Sequence, residues 1–112
     1  MISAVNEANF QPEVIEADRP VLVHFWTPWC GLCRLIEPTL QQLLLDGEET
    51  LGLAAINADE NLRITNRYRI RNLPTIMLFH HGKPIHKLDT FDNREQLKTA
   101  LQHLMQRTHS LS

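Results

Sequence analysis

The sequence predicts an α/β fold with a mixed central sheet of four to five strands, flanked by helices on both faces. Three observations carry this. Two short, nearly continuous apolar runs, "VLVHFW" and "LGLAAI", have the pattern of strands buried on both faces. Between and after them lie segments whose apolar residues recur at helical spacing. A third apolar run, "TIMLFHH", leads through Gly82 into "KPIHKL", as a hairpin would. Strands that alternate with helices and close on a hairpin and a helix imply a mixed sheet covered on both sides.

The elements follow in chain order. "NEANFQPEVIEA" reads as a helix, preceded by a short edge strand. "RPVLVHFWT" lies between Pro20 and Pro28 and is the first central strand. From Gly31 the period changes: Ile36, Leu40, Leu43 and Leu44 mark one face of a helix. Pro38 falls inside it and should kink it rather than end it, because the pattern continues beyond. "LGLAAINA" is the next strand and "ENLRITNRY" a short helix. After the hairpin, Asp92 and Glu95 are spaced as a capping box. They open a last helix whose apolar face is Leu97, Leu101, Leu104 and Met105. The order is βαβαβαββα. At 112 residues and 43% apolar composition, the chain fits a single domain over residues 1–112.

Several function classes are disfavoured at once. A formal charge of -2 offers no general attraction to nucleic acid. The apolar runs are too short to span a bilayer, so no membrane association is expected. "MISAVNEANF" has neither a basic start nor an apolar core, which argues against a signal peptide and for a cytoplasmic protein. Two cysteines make no secreted disulfide scaffold.

Those two cysteines, Cys30 and Cys33 in "VHFWTPWCGLCRLIEPTL", are where the chemistry lies. They sit at a strand-to-helix junction, and residues three apart on a helix are neighbours. The pair is therefore close to the separation a disulfide needs. A helix N-terminus stabilises a thiolate through its unpaired N–H groups and partial positive charge. That makes Cys30 the nucleophile and the deeper Cys33 the resolving thiol. Half of a zinc site and a pair of inert buried thiols are the competing readings. Zinc normally needs four ligands, and no second CxxC or HxxxH is present, so no metal is expected.

"FWTPWCGLC" followed by "NLPT", together with "INADEN" and "HHGKP", resembles the thioredoxin family over nearly the whole chain. The resemblance implies a thioredoxin fold and a thiol–disulfide oxidoreductase that reduces protein disulfides through a Cys30–Cys33 dithiol/disulfide without a bound cofactor. It also implies that Pro74 is a cis-proline facing the pair. Trp29, Gly31, Leu32, Leu73, Pro74 and Thr75 would be the substrate-binding surface, with the Leu73 and Thr75 backbone bonding an extended target. The implied partners are disulfide-containing proteins and a thioredoxin reductase as electron donor, with the chain a monomer. Rival readings are a thioredoxin-fold interaction module, or an isomerase- or oxidase-like member.

The chain departs from the family pattern around the site. His24 stands where a buried Asp is usual, and Ala55 where its Lys partner would lie. Leu32 replaces the proline between the cysteines, and Asp89 replaces a glycine near the groove. A neutral buried His24 has an acceptor nitrogen, so it is a candidate catalytic base toward Cys33, beside the plainer reading of a core histidine. Leucine at position 32 restores an N–H donor beside Cys30, which predicts a less reducing pair. Arg63, Arg67, Arg69 and Arg71 read as a solvated face, or as a basic rim toward acidic partners. His80, His81 and His86 read as surface residues at the far end of the sheet.

Overall fold

The structure, a computed structural model, describes residues 2–45 and 51–109, with side chains described for 2–42 and 51–106. Leu43 and Leu44, two members of the expected helix face, lie outside the described side chains.

Five strands form one sheet in the order β1-β3-β2-β4-β5. They are β1 (Ser3–Ala4), β2 (Val21–Trp26), β3 (Gly52–Asn57), β4 (Thr75–His80) and β5 (Lys83–Leu88). Strands β1, β2 and β3 are parallel, while β4 pairs antiparallel with β2 and with β5. Helices α1 (Gly31–Leu45), α2 (Leu62–Arg67) and α3 (Arg94–His109) complete the alternation read from the sequence.

Alternation along β2 assigns the two faces. Val21, Val23 and Phe25 join Val14, Ile56, Ile64, Met77 and Phe79 in one core. There Phe10, Tyr68 and Phe79 pack ring against ring, the Tyr68–Phe79 pair edge-on at 5.2 Å. Leu22 points the other way, into a second core of Ile36 and Leu40 from α1 and Leu97, Leu101, Leu104 and Met105 from α3. A strand that serves two cores has no polar face, which is why β2 reads as a continuous apolar run.

Three local expectations are adjusted. The N-terminal helix is only a π-helical turn at Gln11–Ile15, with Pro12 inside its start. The segment after β3 divides into a 3-10 turn, Ala58–Glu60, and the short α2. The capping box of α3 sits one residue later than Asp92 and Glu95. Asn93 Oδ1 accepts the Gln96 amide at 2.9 Å, and Gln96 Oε1 accepts the Asp92 amide at 2.6 Å. Asn and Gln offer the same acceptors as Asp and Glu, so sequence spacing alone does not choose between the two frames. Helix α1 continues through Pro38, which therefore does not end it.

The hairpin turn is built by His81 at φ 53° and Gly82 at φ 77°. Two successive residues at positive φ match the right-handed twist of the flanking strands. Because β4 runs antiparallel to β2, this turn lies at the sheet end remote from Trp26, with His80 and His81 in it, while His86 stands further along β5 opposite Leu78 and is half-buried.

Candidate redox site

Strand β2 delivers the site. It ends at Trp26, and the turn that follows carries Thr27 and Trp29 up to the start of α1. The Cys30 amide donates to the Thr27 carbonyl at 3.2 Å, which closes that turn. Cys30 therefore falls just before the helix, and Cys33 falls inside its first turn. Their Cα atoms are 5.3 Å apart and the two sulfurs are bonded. The Cys33 amide donates to Cys30 Sγ at 3.2 Å, so a helix N-terminal N–H is aimed at this sulfur. This donor is additional to the Leu32 N–H that the sequence places beside Cys30. The cysteines differ in depth: Cys30 is 7% exposed and Cys33 2%.

The loop before β4 meets this junction from the side. Thr75 pairs with Phe25 across β2, which places Pro74 at the same sheet end as Cys30. The Leu73–Pro74 peptide is cis. Pro74 is buried, Leu73 is half-buried against the first core, and Leu32 is half-buried against the second. Trp29 is the most exposed of these side chains at 69%, yet its Nε1 donates to Asp59 at 2.8 Å. Asp59 belongs to the 3-10 turn after β3, so that turn fixes the indole; this pairing was not anticipated from the sequence. The Thr75 side chain turns inward, its hydroxyl donating to the Asn72 carbonyl at 2.5 Å.

His24 lies beneath the pair, 3% exposed. On β2 it pairs with Ala55 of β3 and Ile76 of β4, on the α1 side of the sheet. Burial pushes its pKa down from 6.5 to about 4, so the ring is neutral at neutral pH. Its Nε2 has no hydrogen-bond partner. A cavity of about 450 Å³ opens beside it, reaching Cys33 on α1 and Ala55 and Ala4 on the neighbouring strands. The two alanines leave this space: larger side chains in that row would fill it.

The thioredoxin family model matches residues 1–103. The chain is 37% identical to a thioredoxin of Alicyclobacillus acidocaldarius over 91% of its own length and 96% of that protein. It is 44% identical to a thioredoxin of Griffithsia pacifica over 80% of its own length and 79% of that protein. Thioredoxin 1 of Synechococcus elongatus is 39% identical, over 74% and 78%. This chain belongs to the thioredoxin family.

Family and disulfide together make it a thiol–disulfide oxidoreductase with protein-disulfide reductase activity. Membership of the family implies disulfide-containing targets and a reductase as donor in general. Among the described residues no helix is long and apolar enough to cross a membrane.

Proposed function

We propose that Cys30 is the attacking thiolate and Cys33 the resolving thiol. Their asymmetry carries this reading: Cys30 is the shallower sulfur and already accepts an amide N–H from the first turn of α1. Such a donor, with the partial charge of the helix end, favours the thiolate. In the reduced protein, the Cys30 thiolate attacks one sulfur of a target disulfide. A mixed disulfide forms and the other target sulfur leaves as a thiolate. Cys33 then gives up its proton and attacks Cys30 Sγ. The Cys30–Cys33 bond forms, and the second target sulfur leaves. Two electrons have passed to the target.

His24 is the acceptor for the Cys33 proton, through its unpartnered Nε2. Trp29, Gly31, Leu32, Leu73 and Pro74 form the target-docking surface, and Thr75 contributes through its backbone. Residues 1–112 act as one domain and as a monomer in the cytoplasm, with a thioredoxin reductase as donor.

Trapping tests the assignment of the cysteines. A Cys33→Ser variant incubated with insulin should accumulate a mixed disulfide on Cys30, and Cys30→Ser should accumulate none. Steady turnover by Cys33→Ser, or a trapped adduct in Cys30→Ser, would reverse or remove the roles.

A further inference from the structure

The cavity behind the disulfide is larger than the redox chemistry requires. Its floor is one row across three strands, where Ala4 pairs with Ala55 and Ala55 with His24. Its volume of about 450 Å³ lies within the range of small-molecule pockets. Trp26 adds an aromatic wall, and Ile2 an apolar one.

The polar groups around this space divide into used and unused. Asn61 Nδ2 donates to the Asn57 carbonyl and its Oδ1 accepts the Glu7 amide. Asn57 Oδ1 accepts the Asp59 amide. The Arg34 guanidinium donates to the Pro28 carbonyl. His24 Nε2 is left, wholly buried and without a partner. A buried polar atom in that state is destabilising until something bonds it.

We infer that this cavity is a binding site for a small neutral aromatic alcohol, its ring between Trp26 and the alanine row and its hydroxyl on His24 Nε2. Three features select that chemistry. The walls are mainly apolar and offer a ring face for stacking. A hydroxyl both donates and accepts, so it satisfies Nε2 in either neutral tautomer. Glu37 and Glu60 at the rim outnumber Arg34, which disfavours an anion. Nothing in this requires His24 to take part in turnover.

The test is a titration of the oxidised protein, nitrogen-labelled, with phenol, toluene and benzoate, followed by NMR. Phenol should bind saturably, moving the Ala4, Ala55 and Asn57 amides and the His24 Nε2 resonance. Toluene and benzoate should bind at least several-fold more weakly. Ala55→Leu fills the space and should weaken phenol binding at least tenfold while amide dispersion shows an intact fold. If that variant does not fold, Ala4→Leu makes the same comparison from the edge strand. The inference fails if phenol causes no saturable shift, or if the shifts centre on Trp29 and Pro74. It also fails if toluene matches phenol, or if the folded cavity-filling variant binds phenol as tightly as the parent.

Discussion

His24 places an ionisable ring where no charge is compensated. Its pKa is about 4 in the folded protein against 6.5 for a free histidine, with burial as the cause. Between these values the unfolded chain binds more protons than the folded one, so stability rises with pH across that window. The contribution is fully present above 6.5 and is lost as pH falls toward 4. The difference corresponds to about 3 kcal/mol. Urea melts of parent and His24→Leu from pH 7 to pH 4 should show the parent losing about that much more stability than the variant. Parallel losses would mean that the ring does not stay neutral in the fold. The groups facing it across the cavity are Cys33, Arg34 and Glu37 from α1 and Glu60 from the turn after β3. The same low basicity limits His24 as a proton acceptor. A base well below the ambient pH sits off its optimum, so His24→Ala should slow resolution only about tenfold, near or below the low end of general-base effects. Stopped-flow separation of the two steps should show first attack by Cys30 nearly unchanged. A slowed first attack would mean that His24 acts on Cys30 or on the fold.

Among the elements, the least legible in the sequence were those held by distant residues. Helix α2 has Asn61 before it, a good cap by type, yet that side chain makes no capping bond. Glu7 does so instead: its Oε2 accepts the Arg63 amide at 2.7 Å and the Ile64 amide at 3.3 Å. Asn61 is turned back to hold the Glu7 amide. Local pattern reading cannot see a cap supplied from 56 residues away. Glu7→Ala should cost about 1 kcal/mol, as other N-cap losses do, and a chemical melt reads it directly; no change would assign the capping to water. Strands β2, β3 and β4, by contrast, were legible because each runs apolar on both faces and is bounded by turn residues. The hairpin was legible through Gly82 alone, although its left-handed partner is His81. At Gly82 a Cβ would stand 3.1 Å from the Ile15 carbonyl oxygen, at φ 77°. Gly82→Ala should therefore destabilise by about 1–2 kcal/mol, with the redox potential unaltered because the turn is at the far sheet end. At the site, CxxC and NLPT located both cysteines and the proline loop. The cavity was not legible, because Ala4 and Ala55 become neighbours only through strand register.

Across the whole molecule, the sheet brings three separate segments to one end: the Cys30 turn, the Pro74 loop and the residues after β5. Leu88 pairs with Ile76, so Asp89 follows at the end where Thr75 and Pro74 lie. It is half-buried, and its Oδ1 accepts the Thr90 hydroxyl at 3.1 Å. A protein that docks over Pro74 must strip water from this carboxylate. Removing solvation from a charge without supplying a partner opposes binding. Partners shaped for an uncharged residue here supply none. Asp89→Gly should therefore raise kcat/KM for reduction of this chain by an NADPH-dependent thioredoxin reductase about tenfold, a difference of about 1.4 kcal/mol. The gain should appear mainly in KM, because the carboxylate acts on docking and not on sulfur exchange. Small-molecule reduction by dithiothreitol, which needs no protein interface, should stay the same. If both reductants respond equally, the effect of Asp89 is on the disulfide itself. If neither responds, the docking surface lies clear of β5.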